Sequence, residues 1–593
     1  SNTTGTTNVA VGSAALDANT TASSNTAVGY AAIGANTTGG SNVAVGTSAL
    51  DANTTASYNI AVGASALGAN TTGASNVAVG HQALVTNTTA GGNVAIGYQA
   101  LYSNSTGANN TAVGYQSGDA VTTATNNTSM GYASLGGTTT GSHNTAIGRD
   151  AMLANTSGSQ NVALGRDALR NGTGQINSTA LGYSAARSAT GTNLTAIGSQ
   201  AFYGSSTGNH NTGVGVNVGY ANTTGASLVG VGVEALRFNT TGGQSVAVGY
   251  RALYSNTTAS YNTAVGNGAM KDNTTGAAND AFGFNALQNN TTGQENVSIG
   301  ANSLDNYNTA VGRTALGVTT TGGYNTAVGG LSLDANTTGS KNTAVGYASL
   351  TNSTTSSSNT AVGYQALKAN TTGTSNVAVG LSALLACTTG DRNVAIGYQA
   401  LDAITTHNNN VAIGEAALSA NTTNGNTAVG RQAAAANTTG AGLTVVGKEA
   451  LAANTTANYN TAVGDSALTA NTTGEYNTAV GGLALDANTT GAQNVALGYA
   501  SLTNATTASN NTAMGYNALG DNTTAANNTA IGRSALSSCT TGDNNNAFGS
   551  NAADAITTGT NNAAFGSSAL GAVTTGGYNT GLGQGAGRLI TTG

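Results

Sequence analysis

Four histidines, two cysteines, several glycine-rich strings and many Asn-Thr-Thr triplets are the parts of this 593-residue chain whose types could do chemistry. His81, His143, His210 and His407 would suit metal binding or proton transfer if paired, but no two stand at metal-ligand spacing. The acidic residues show no recurring pair for acid–base work, and no serine has a plausible histidine partner in the next rung. Cys387 and Cys539 are 152 residues apart, too far to join within one extended, regular chain, which leaves chance substitution or a lateral cross-link between chains. The strings GVGVNVG (213–219) and GLGQGAG (581–587) look like phosphate loops, yet no helical pattern follows to offer an N-terminus. The aspartate that calcium-binding rolls need in each nonapeptide is missing. With 15 basic residues in all, no basic footprint for nucleic acid exists. The chain is therefore expected not to be an enzyme, with no catalytic or metal residues, no cofactor, no nucleic-acid partner and no membrane insertion in this segment.

What positions these residues is a repeat. NVAVG at 8–12 returns as NTAVG at 25–29, NVAVG at 42–46 and NIAVG at 59–63. The glycine that closes each segment occurs 35 times from Gly12 to Gly583, and 31 of the 34 steps between copies are 17 residues. Two steps are 16 (Gly182 to Gly198, Gly414 to Gly430) and one is 12 (Gly300 to Gly312). The array fills 1–593 as a single continuous unit, where length alone would have argued for roughly four domains. Counting positions from this marker glycine, the consensus is Asn at −4, Thr or Val at −3, Ala at −2, Val or Ile at −1, Ala-Leu at +3 and +4, and Asn-Thr-Thr-Gly at +7 to +10.

Composition agrees. Only 6% of residues are charged, against about 25% in ordinary domains. Glycine is abundant (86) but proline is absent, which excludes collagen. Two cysteines exclude a disulfide scaffold, and 39% hydrophobic residues with net charge −6 argue against charge-driven disorder.

The apolar spacing does not sustain a helical period. A β-branched run, a second apolar pair and a turn cluster instead predict a coil of two short strands and two turns, stacked into an all-β parallel solenoid of about 35 rungs. The marker glycine fits a corner with φ > 0 or close backbone approach. The residue at −1 is apolar in every copy, becoming Phe at Phe282, Phe548 and Phe565. With the +4 leucine it gives about two large core residues per coil, a thin core that several chains would share, most simply a homotrimer. At about 4.8 Å per rung the rod would be about 170 Å long. The short rung at 301–312 keeps Leu304 but lacks the Asn-Thr-Thr-Gly segment, so that segment reads as an extension outside a smaller coil. The chain begins and ends inside a repeat, as the interior of a longer polypeptide or filament would.

The N-[TV]-A-[VI]-G core resembles the head repeats of trimeric autotransporter adhesins, which implies a homotrimeric left-handed β-roll. That family's repeat is usually shorter, near the length of the short rung. The longer form with NTAVGYQAL, complete at Asn359–Leu367 and partial at Asn110–Ser117, resembles repeat arrays of phage and bacterial tail-fibre proteins. Both likenesses imply a structural fibre at a cell surface, outside the cell or on a virion tail, used as a spacer or filament in attachment, with self-association and cell-surface glycans as partners. The alternative is an ice- or surface-binding solenoid using the Thr-Thr columns.

Three further surface features follow from the register. The +1 position is Tyr in eleven copies. Tyr98, Tyr115 and Tyr132, followed by Arg149 and Arg166, and also Tyr347 and Tyr364, would form ladders with cation–π options, stacking against glycans or sealing a seam between chains. The Asn-Thr-Thr triplets match N-x-T glycosylation acceptors and read as turn motifs. The period breaks at 171–232, where Leu194 and Leu228 replace the leading Asn, and at 296–312, and these are the places for specialised sites.

Overall fold

In the computed structural model, which describes residues 2–302 and 307–592, the alternation of each Asn-x-Ala-x-Gly segment sets the architecture. Leu304 of the short rung lies outside the described residues. The chain forms two compact units, Ser1–Ala301 and Asn302–Gly593. Each is an all-β parallel solenoid: the first holds strands β1 (Val9–Val11) to β18 (Val297–Ile299), the second β19 (Thr309–Val311) to β35 (Thr580–Leu582). Every strand has three residues, and within each unit successive strands pair in parallel, as in Val43↔Ile60, Ala44↔Ala61 and Val45↔Val62. The two 16-residue steps keep this register, with Thr179↔Thr195 and Val411↔Thr427; the missing residue is lost from a turn.

A rung has one strand, not the two expected. The Ala-Leu pair lies in a turn, with Ser48 at φ 53° and Leu50 at φ 55°. That conformation is unfavourable for β-branched side chains, which fits a column that is mostly leucine, with Ile33 its β-branched exception, while the strand uses valine and isoleucine. The marker glycines all have φ between 115° and 148°, and a Cβ on Gly46 would stand 2.5 Å from the Gly63 carbonyl oxygen. Both physical demands placed on that glycine from sequence therefore hold.

The interior is narrow. In the rung from Asn42 to Tyr58, the buried residues are Asn42, Ala44, Ala49, Leu50, Asn53 and Ala56. Val45, which should have shared the core with Leu50, is 38% exposed. Strand side chains alternate between faces, so the small −2 residue points in and the large −1 residue points out. Each rung thus buries one large aliphatic side chain, worth about 1.5–3 kcal/mol, rather than two.

Polar ladders complete the interior. Asn42 and Asn53, from opposite ends of the rung, both donate to the Ala56 carbonyl, at 2.9 and 3.0 Å. Asn53 also donates to Asn36 Oδ1 one rung below (2.9 Å), and the Asn42 N–H donates to Asn25 Oδ1 (3.0 Å). Because this Asn is buried and tied on both sides, the Asn-Thr-Thr-Gly segment is part of the coil wall and not an outside extension.

Irregular rungs compensate within the core. Phe202 occupies a leucine position, and the next rung provides Gly213 and Gly219 where alanine and leucine usually stand. A Cβ on either glycine would come within 2.6 Å of the Phe202 ring. Gly219→Leu should lower unfolding stability by about 1–3 kcal/mol through overpacking, and Phe202→Leu added to it should recover most of the loss, read by denaturant titration.

Candidate functional site

The outward face of the strands is the largest chemical feature of either unit. Its −1 column is Val, Ile, Leu, Met or Phe in all 35 copies, and its −3 column is partly buried to exposed along its length. Parallel pairing places successive −1 side chains one above another, as Val11↔Val28 and Val345↔Val362. The result is a continuous apolar stripe along each unit. Sequence reasoning missed it because three-residue strands are too short to display period-2 alternation on their own. The small residue at −2 was the available signal: it is the one that had to face inward.

Beside the stripe runs the +1 column. Tyr98, Tyr115 and Tyr132 stack with centroids 5.1 and 5.2 Å apart and nearly parallel planes. His81, earlier one of four unrelated histidines, caps the column on Tyr98 at 5.4 Å. Arg149 lies over Tyr132 at 5.5 Å and pairs with Asp150 at 3.3 Å. Arg166 turns instead to Tyr183, at 5.9 Å, and pairs with Asp167 at 3.4 Å. Gln82, Gln99 and Gln116 form a parallel amide ladder, with bonds of 3.0 and 3.1 Å. In the second unit Tyr347 and Tyr364 stack at 5.7 Å. The structure thus brings the expected residues together, but their ring faces cover one another. What the ladder offers outward is ring edges and hydroxyl groups, not faces on which a sugar could lie.

Other aromatic ladders lie in different columns, among them Tyr203–Tyr220 and Tyr459–Tyr476; the 17-residue spacing of like residues would have revealed them. Glu234 accepts from Arg251 Nε at 2.6 Å and also pairs with Arg237. Chiefly the Arg251 hydrogen bond holds its carboxyl below the usual range, against an opposing effect of burial.

The triplets and the period break at 171–232 resolve structurally, whereas the break at 296–312 falls partly outside the described residues. The sequon asparagines such as Asn36 and Asn53 are fully buried, so their amides face the interior of the folded coil. The first threonine donates to a carbonyl one rung on, as Thr54 does to Thr71 at 3.2 Å, and the second is exposed. Leu194 and Leu228 are buried in the leading-Asn column, and the strands around them stay in register. Among the described residues no group of His, Cys, Asp and Glu could hold a metal ion, and no helix is long and apolar enough to cross a membrane.

No family model matches the chain, and no curated protein matches it.

Cys387 and Cys539 replace the +7 asparagine and are fully buried, with Sγ facing the Gly390 and Gly542 carbonyls at 3.7 and 3.2 Å. That placement excludes the lateral cross-link. Burial pushes both thiols up to about 11. Native protein at pH 8 should therefore resist alkylation, and both thiols should react once it is unfolded in denaturant, counted by mass spectrometry. Stoichiometric labelling of folded protein would contradict the assigned burial.

Proposed function

We propose that the chain is the shaft of an extracellular structural fibre, a homotrimeric β-roll serving as rigid spacer or filament in attachment to a host or surface. The observation that carries this reading is the apolar stripe at −1. Contiguous exposed apolar surface beyond a few hundred Å2 marks an interaction site. At about 4.8 Å between strands and about 10 Å along three residues, the 18 strands of the first unit form a face of roughly 850 Å2 in all, along which the −1 column is the apolar part. About 800 Å2 per partner supports a stable interface.

The partner is the chain itself. The stripe has the same period along both units, and its −1 column holds no charged residue, so it offers nothing to an oppositely charged ligand. Its cross-section favours three copies. The −1 column is uniformly apolar while −3 is Thr in 19 of 35 copies, the narrow apolar centre and polar margin of coils that converge on an axis. Two sheets packed face to face would cover both columns equally.

The likeness to adhesin head repeats and tail-fibre arrays supports a place at a cell surface or on a virion tail. Where such a shaft meets glycans, the +1 ladders would read them through edges and hydroxyls. Sedimentation equilibrium of the full chain tests the assembly: three chains per particle are expected. Monomer at micromolar concentration would refute self-association, and dimer would refute the convergent arrangement.

A further inference from the structure

The outward face carries a rule that a free surface does not need. The −3 residue is Thr, Val or Ile, all β-branched, in 32 of 35 copies. The three exceptions are Asp280, Asn546 and Ala563, and they fall in the three strands whose −1 residue is phenylalanine: β17 (Asp280–Phe282), β33 (Asn546–Phe548) and β34 (Ala563–Phe565). The two positions lie on the same face of one strand, about 6.6 Å apart.

An open face gives no reason for this pairing. A Phe ring in water is free to rotate away, and aromatic next to β-branched is a favourable combination on a sheet. Asp, Asn and Ala are also poorer strand residues than the ones they replace. The lost β-branch makes sense only if the ring is pressed down along the strand by something above it, so that a γ-methyl at −3 would stand in its way. Phe548 and Phe565 already lie flat on each other, with centroids 4.9 Å apart and planes within 6°.

We propose that these three pairs are register locks of the self-interface, in which each rung meets the same rung of its neighbours. This rests on the homo-oligomeric reading and adds its alignment. Each oversized ring is offset within its own rung, so identical levels fit when they face one another. A one-rung shift would set Phe282 against the levels of Thr263–Val265 and Val297–Ile299, which keep their branches. Each unit carries at least one lock.

Disulfide trapping of the full chain reads alignment directly. In a background with Cys387→Ser and Cys539→Ser, Val345→Cys and Val379→Cys are made singly and with distinct mass tags, then co-assembled. Two rungs separate these sites, about 9.6 Å, beyond the reach of a disulfide. Cross-links between identical positions are expected, with mixed 345–379 products at least tenfold rarer. Asp280→Thr, which restores the branch beside Phe282, is then placed in the same cysteine-free background with paired reporters of this kind at Val214→Cys and Val248→Cys. It should cut identical-position cross-linking at least tenfold, and Asp280→Thr with Phe282→Val should restore it. Circular dichroism and denaturant titration report whether each variant folds. Wild-type trapping in Asp280→Thr would overturn the locks while leaving self-association intact. Abundant mixed products in the parent would overturn the alignment, and monomeric particles without any cross-link would instead overturn the homo-oligomeric reading.

Discussion

The narrowness of the coil interior is the constraint from which the rest of the structure follows. Marker glycines stack so closely that a Cβ at Gly46 would meet the Gly63 carbonyl, and the −2 column holds small residues in every copy but Val445. One leucine per rung fills the remaining apolar space, and two asparagines converging on one carbonyl close it. With the inward side of the strand taken by alanine, its large apolar residues have one place left, the outside. A solenoid built this way has an interior bonded from rung to rung and an apolar exterior stripe, and the proposed assembly is the consequence.

The polar ladders explain why the interior tolerates so much asparagine. Buried amides are costly unless bonded, and here the side chain of one rung serves the backbone or amide of the next. Two breaks in the +7 column carry a cost: Asn104 Oδ1 and Asn370 Oδ1 have no partner, and the residues that follow them in the column are Val121 and Cys387. The Thr hydroxyls that bond the next rung's carbonyls extend the same logic to the wall. Low charge belongs to it too, since like charges stacked at every rung would repel.

Much of this was legible in the sequence. The repeat, the role of the marker glycine and the small −2 column could be read because each is a property of a single position. The direction of the −1 side chains could not, because facing is a relation between neighbours and Val45 and Leu50 look alike as apolar residues. The error propagated into an overcounted core and a second strand that Leu50, in a left-handed turn conformation, does not form. Tyr98, Tyr115 and Tyr132 were placed correctly as a ladder, while His81 and the Gln82–Gln99–Gln116 row were missed for want of comparing whole columns. The link between phenylalanine at −1 and the lost β-branch at −3 was present in the letters, but it means something only once both are known to share an outward face.

The four methionines report whether the outward stripe is covered in the assembled protein. Met152 and Met270 are buried in the coil, while Met130 and Met514 stand on the stripe, 47% and 36% exposed in a single chain. Hydrogen peroxide treatment of the native full chain, with sulfoxide located by peptide mass spectrometry, reads each separately. The account predicts that Met130 and Met514 are protected as well as Met152 and Met270 until the assembly is dissociated. Rapid oxidation of Met130 and Met514 in the native protein, with Met152 and Met270 spared, would contradict it.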